Sequence, residues 1–168
     1  MKRIFFSLIF FCAITTQKIH TTIGTQKKIK GSSNYATILL MNEKSEVLLL
    51  HRKGTAFGDG LYSLPGGKIE DGETALEAAV REAKEEVGID VTDLDFIHVV
   101  DRRGADEEFF IFTFKVKAFQ GEPKNCETHK CDYMSWVALT ELPDNIIPGH
   151  RQAIILSQQN NGYSLHGY

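Results

Sequence analysis

Glu82, Glu85 and Glu86 lie within five residues and directly follow Arg81. On a helix, at about 100° per residue, they crowd one turn, where neighbouring like charges repel. They also fall toward the end of the helical run, where the macrodipole favours cations. Carboxylates so arranged are hard oxygen ligands suited to Mg²⁺ or Mn²⁺, ions that keep several waters and engage phosphates. A solvated acidic face, partly neutralised by Arg81 pairing with Glu77 or Glu85, would have the same composition. The preceding residues favour the metal. Leu64-Pro65-Gly66-Gly67 brings bare backbone amides and carbonyls beside the carboxylate turn, the kind of loop that approaches a phosphate or an ion closely.

These groups need elements to hold them. The spacing predicts a helix over 74–87, with Gly88 as its left-handed C-terminal residue. On its wheel Leu76, Val80, Ala83 and Val87 form the expected core stripe, and Glu77, Arg81 and Lys84 face water. A third arc sets the small residues Ala75, Ala78 and Ala79 in line with Glu82 and Glu86, so that another backbone can pack close. Ahead of the helix, 35–41 reads as a buried strand, 42–45 as a turn, 47–50 as the returning strand and 62–64 as a short extended piece. After it, 96–100 is a strand, and Phe112, Phe114, Val116 and Ala118 alternate with Ile111, Thr113, Lys115 and Lys117 as in a half-buried strand. A further strand at 133–137 and a closing helix at 148–159 complete an α/β order, a mixed β-sheet covered by helices.

Length and charge bound the partners. The 168 residues suit one domain, and 42% hydrophobic content supports a real core. Residues 1–42 hold six of the 19 Lys and Arg and no acid, so 43–168 carries 13 basic and 22 acidic residues, a balance of -9. That body is not a dedicated polyanion binder, and no DNA binding is expected. Residues 1–32 read as a leader: cations at Lys2 and Arg3, then an apolar run from Ile4 to Ile14, then a polar linker. The run is too short to span a bilayer and fits the h-region of a signal peptide, although its cleavage signals are poor. Membrane contact is expected only through this leader if it stays uncleaved. Export then competes with a cytoplasmic location. Three cysteines make no disulfide framework; Cys126 and Cys131 are either a pair, in an exported protein, or two ordinary thiols.

Gly67, Glu73, Arg81-Glu82-Ala83, Glu85-Glu86, Gly88 and Ile89 together fit G-x5-E-x7-R-E-U-x-E-E-x-G-U, where U is aliphatic or small. This 23-residue window resembles the Nudix box at every specified position. Looser resemblance runs from Tyr35 to Gln159 and assigns 33–160 to a Nudix domain of the small MutT-like branch, with 161–168 as a tail. The resemblance implies an α/β/α sandwich and hydrolysis of the diphosphate linkage in a nucleoside diphosphate derivative with Mg²⁺ or Mn²⁺. The substrate is then a (d)NTP such as an oxidised purine triphosphate, giving NMP and pyrophosphate, or a nucleotide sugar such as ADP-ribose.

By the same resemblance Glu82, Glu85 and Glu86 are the metal-binding carboxylates, the Gly66 carbonyl is a further ligand, and Arg81 orients the glutamates. Glu73 holds the shape of the loop and helix, while Gly67 and Gly88 supply conformations that a Cβ would resist. The general base is Glu82, Glu127 or Asp132. Arg52, Arg102 and Arg103 are candidates for the anionic end of the substrate, with Gly66 and Gly67 beside it. Tyr62, Phe57 and Phe112 are candidates to stack a base, against the commoner role of aromatics in packing. Trp136 reads as packing, and His51, His98 and His150 have no partner spacing. Two rival readings are a nucleotide-binding domain that keeps the fold without catalysis and an RNA-decapping hydrolase. The complete carboxylate set disfavours the first and the acidic body the second.

Overall fold

A computed structural model describes residues 33–103, 108–159 and 162–166. The leader and Cys12 lie outside them. In chain order the elements are β1 (Tyr35–Leu39), β2 (Glu46–Arg52), β3 (Tyr62–Ser63), β4 (Gly66–Lys68), α1 (Ala75–Glu82) continuing as a π-helical turn (Ala83–Val87), β5 (Asp90–Arg103), β6 (Glu108–Gln120), β7 (Cys131–Ala138), α2 (Pro148–Ser157) and β8 (Tyr163–His166).

Strand β1 organises the molecule. It is buried on both faces, so its side chains feed two cores. Ala36, Ile38 and Leu40 join Leu48, Phe114 and the α1 residues on one side; Leu39 joins Val47, Leu49, Leu64 and Ile154 of α2 on the other. The result is the expected sandwich, with a helix on each face. The strands divide into two sheets rather than one. A five-stranded mixed sheet runs β4-β1-β6-β5-β8 and a three-stranded antiparallel sheet runs β3-β2-β7. The turn at 42–45 connects them: Asn42 Oδ1 accepts from the Lys44 and Glu46 amides, and Ser45 adopts φ 62°.

Tyr163–His166, within the span expected as a tail, form β8. It lies parallel to β5, with Val99 opposite Tyr163 and Arg102 opposite His166. The alternation expected in β6 holds only in part. Ile111 and Thr113 are buried along with Phe114 and Val116, because β6 sits between β1 and β5 and is covered on both faces there. Trp136 is 38% exposed on β7 rather than packed inside.

The helix over 75–87 forms where its pattern places it, but with a different inner face. Leu76 and Val80 are exposed, while Ala78, Ala79, Ala83 and Val87 are fully buried. The alanine arc lets the helix axis approach β1 closely, a gain that Leu76 could not provide. Thr74 starts α1 with a capping box: its Oγ1 accepts from the Glu77 amide while the Glu77 carboxylate accepts from the Thr74 amide. Gly88 ends the run at φ 76°, the left-handed closure expected there. Among the described residues no helix is long and apolar enough to cross a membrane.

Candidate active site

Arg81 is the hub of the carboxylate turn. Its Nε and one terminal nitrogen donate to both Glu73 oxygens, at 2.9 and 3.0 Å. The other terminal nitrogen donates to Glu82 Oε1 at 2.8 Å and Glu85 Oε2 at 3.0 Å, and the Lys68 carbonyl takes a further bond. One forked cation therefore ties the start of α1, the glycine loop and two of the three glutamates together. Hydrogen bonding to Arg81 first, and to the Glu70 amide second, holds the Glu73 carboxyl below its usual range. Glu73 thus occupies the shaping position expected of it.

Glu86 is held differently. It turns away from Arg81, and its Oε2 accepts from the Gly66 amide at 2.8 Å. Burial pushes its carboxyl up to about 8, against the bond from Gly66, and Glu82 and Glu127 repel its charge further. Burial also raises Glu82, opposed by Arg81. The π-helical turn separates these roles. Glu82 and Glu86 line one cavity, whereas Glu85, half exposed, stays with Arg81 outside it. Such turns inside α-helices recur at functional sites.

The carbonyls left open at the end of this turn recruit a loop. Lys124 N donates to Val87 O and Cys126 N to Glu86 O, which fastens residues 121–127 to the helix end. Asn125 then bonds the Cys131 carbonyl and the Glu127 amide. This anchoring brings Glu127 into the cavity wall, where Lys130 pairs with it at 2.9 Å. Asp132, the other candidate base outside the box, is elsewhere: it pairs with Lys53 at 2.9 Å and lies 3.6 Å from His51.

Gly67 is needed for closeness rather than for an unusual backbone conformation. A Cβ there would collide with the Glu82 carboxylate, so the glycine lets the carboxylate lie against the loop.

Two adjoining cavities meet at Gly66, Gly67 and Arg52. The smaller, about 300 Å³, is walled by Glu82, Glu86, Glu127, Lys130 and the β3-β2-β7 sheet. The larger, about 430 Å³, has apolar walls from Val100, Ile111, Ile147 and Phe109, with Arg102, His150 and His166 around them. Arg52 faces both, with its Nε donating to Phe57 O at 3.2 Å. Arg102 lies over the Phe109 ring, 5.7 Å from its centroid. Arg103 reaches toward Asp101 at 3.5 Å and is absent from both cavity walls.

Of the aromatic candidates, Phe57 stands at the rim of the larger cavity and is 60% exposed. Phe112 packs against the α1 core. Tyr62 packs at the edge of the core shared with α2 and bonds the Tyr133 hydroxyl at 2.7 Å, with His51 stacked on Tyr133. His98 is buried and bonded to Ser164. Of His51, His98 and His150, it is His150 that reaches a cavity. Its Nδ1 accepts from the Leu64 amide at 3.0 Å, and burial, then the Arg52 charge, push its ring down to about 4. It is therefore neutral at pH 7, with Nε2 as its donor. No spacing in the sequence marked it, because its partner is a backbone amide 86 residues away. Cys126 is exposed and Cys131 buried, and both are free thiols.

The donors fit a hard divalent cation. Glu86 holds a carboxylate that burial disfavours when charged, and two further carboxylates face the same space. Among the described residues, however, no three such side chains converge as a ready cage. Mg²⁺ does not require one, since it commonly takes one or two carboxylates and completes its shell with water and substrate phosphates.

The chain matches the family model for the NUDIX domain over residues 33–156. It is 31% identical over 116 residues to the 8-oxo-dGTP diphosphatase of Escherichia coli (strain K12), covering 69% of this chain and 88% of that one. It is 30% identical over 93 residues to the protein of the same name from Proteus vulgaris, covering 55% and 83% of the two chains. A MutT Nudix hydrolase from Burkholderia pseudomallei superposes with a TM-score of 0.70 at 29% identity, covering 75% of this chain and 98% of the other. With the box, the sandwich and these relatives in agreement, the chain belongs to the Nudix family, as a MutT-like hydrolase of phosphorus-containing anhydrides.

Proposed function

We propose that the protein is a Mg²⁺- or Mn²⁺-dependent nucleoside triphosphate pyrophosphohydrolase that releases NMP and pyrophosphate, with an oxidised purine nucleotide as its substrate. The observation that carries this reading is the junction at Arg52. A carboxylate-walled cavity opens there into a larger apolar one, the order in which a nucleotide presents its polyphosphate and its base. The names of the Escherichia coli and Proteus vulgaris relatives support the same substrate class.

In this reading Glu82 and Glu86 would hold the cation from the cavity wall, Glu85 would join them from its place beside Arg81, and the Gly66 carbonyl would be a further ligand. When bound, the cation neutralises phosphate charge and acidifies water. Arg81 keeps Glu82 and Glu85 oriented, so little rearrangement is left for the reaction itself. Arg52 and Lys130 donate to phosphate oxygens from the opposite wall. Glu82 or Glu127 accepts the proton of the water that attacks phosphorus in line. Asp132 is less suited to that task because it pairs with Lys53 and does not line the carboxylate cavity. Arg102 and His150 Nε2 offer only donors to the base, which favours a base edge bearing carbonyl oxygens.

The test is a panel of nucleotides, including 8-oxo-dGTP, dGTP and ADP-ribose, assayed with Mg²⁺ or Mn²⁺ for pyrophosphate and phosphate release. Glu85→Gln and Glu86→Gln are run beside the wild type. Turnover of 8-oxo-dGTP to NMP and pyrophosphate, lost by orders of magnitude in both variants, is the expected result. Undiminished turnover in both variants would refute the assignment.

A further inference from the structure

Ser63 is 1% exposed, and its hydroxyl is one of two buried side-chain polar atoms that find no hydrogen-bond partner among the described residues. A buried hydroxyl left unpaired is costly, and native proteins rarely leave one without a reason. Its position supplies a reason. Ser63 pairs with Leu50 across β3 and β2, while the next pair, Tyr62 with His51, carries the aromatic cluster on the opposite face. Strand alternation therefore puts the Ser63 side chain on the same side as Leu50. Both residues line the cavity that holds Glu82, Glu86 and Glu127. The backbone cannot swing the group away, because the adjacent Leu64 amide is fixed to His150 Nδ1.

We infer that Ser63 is a substrate-binding residue whose hydroxyl donates a hydrogen bond to a non-bridging phosphate oxygen of the bound diphosphate. The inference rests on the phosphate end of the substrate occupying this cavity, as proposed above, and adds a contact from outside the Nudix box. The chemistry favours a phosphate over other ligands. The nearby carboxylates and the backbone already supply acceptors, so a ligand drawn in by Arg52, Lys130 and a divalent cation arrives with acceptor oxygens. A hydroxyl is a donor that adds no charge there, and being held in place before binding it loses little freedom on contact.

The experiment compares wild type with Ser63→Ala in two arms, and the pair Ser63→Thr and Ser63→Val separates the hydroxyl from the shape. In the first arm kcat/KM is measured on the best nucleotide of the panel with Mg²⁺. In the second, binding of inorganic pyrophosphate with Mg²⁺ is measured by calorimetry, alongside urea unfolding of each variant. A neutral donor to a charged acceptor predicts that Ser63→Ala weakens pyrophosphate binding and kcat/KM by about ten- to a hundredfold. Its unfolding midpoint is expected to equal or exceed the wild-type value, since an orphaned polar group has been removed. Thr should retain more binding than Val.

Pyrophosphate affinity and kcat/KM within twofold of wild type in Ser63→Ala would overturn the inference. So would losses that merely track a lowered unfolding midpoint. If the wild type turns over no nucleotide, the functional reading fails, and the pyrophosphate arm still decides the role of Ser63.

Discussion

Glu86→Gln should abolish activity and make the metal-free protein more stable. The folded chain holds the Glu86 proton up to about pH 8, whereas a free glutamate releases it near 4.5. Between these values the folded state binds the extra proton, so stability falls as pH rises through the window and levels off above 8. At about 1.4 kcal/mol per pH unit, the full cost is of order 5 kcal/mol above pH 8 and about 3 kcal/mol at pH 7. Glutamine mimics the neutral acid and still offers a carbonyl to the Gly66 amide, but its NH₂ needs a partner and the side chain is not wholly enclosed. The expected net gain is therefore about 1–3 kcal/mol at pH 7–8, shrinking toward zero at pH 5. Urea unfolding in EDTA, followed by circular dichroism and Trp136 fluorescence, reads it as a shift of about 1 M in midpoint. Glu85→Gln is the control. Its half-exposed carboxylate should change stability by less than about 0.5 kcal/mol while costing comparable activity. Mg²⁺ should narrow the gap by stabilising wild type more than the Glu86→Gln variant. A gain that is absent, or equal at pH 5 and pH 8, would refute the claim that Glu86 is a carboxylate held against burial.

Three other perturbations separate the parts of the site. Arg81→Ala releases Glu73, Glu82, Glu85 and the Lys68 carbonyl at once, so the thermal midpoint should fall by on the order of 5 °C, and Arg81→Lys, lacking the fork, should recover little of it. His150 has its ring pushed down to about 4, so the unfolded chain takes up its proton first as pH falls below 6.5. Wild type should therefore lose about 3 kcal/mol between pH 6.5 and 4 from this group, and His150→Gln should flatten that part of a stability-against-pH curve. Iodoacetamide should modify exposed Cys126 well before Cys131, whose thiol burial pushes up; peptide mass spectrometry reads the order, and faster labelling of Cys131 would contradict its placement.

The sequence was most informative where chemistry and local structure coincide. Gly88 acts through neighbours within a few residues and the helical run is local, so the start and end of the 75–87 helix were legible. The Nudix box led directly to Arg81 and the glutamates. Two things were not legible. The wheel assumed α-helical phase and a stripe of large residues, while the chain buries alanines against β1 and slips into a π turn after Glu82. The substrate cavity was the second. His150 meets Leu64, Glu127 is carried in by a loop fastened to Val87 and Glu86, and His166 arrives on β8. Such contacts depend on topology, and no periodicity encodes them. Arg103 and Asp132 lie outside both cavity walls, Arg103 beside Asp101 two residues away and Asp132 beside Lys53, which the pairing of β2 with β7 brings to it from 79 residues away.

The carboxylate turn runs against several rules of helix stability at once. It places like charges together near a helix end that favours cations, buries one carboxylate, and departs from α-helical hydrogen bonding. The compensation is local and identifiable. Arg81 ties Glu82 and Glu85 to Glu73, the loop at 121–127 covers the open carbonyls, and the capping box secures the other end of α1. What remains uncompensated is the Glu86 carboxylate, which leans on the neutral Gly66 amide, together with the Ser63 hydroxyl, which has no partner among the described residues. Both line the same cavity of about 300 Å³. One lacks positive charge and the other lacks an acceptor. A divalent cation carrying a phosphate supplies both, so the two unmet requirements specify the ligand jointly, where either alone would admit many. That pairing also explains how a body with an excess of acidic residues takes an anionic substrate. Acids such as Asp93 and Asp95 lie on β5 beside Lys117, while on the proposed function those in the cavity would act on phosphate through the cation they hold.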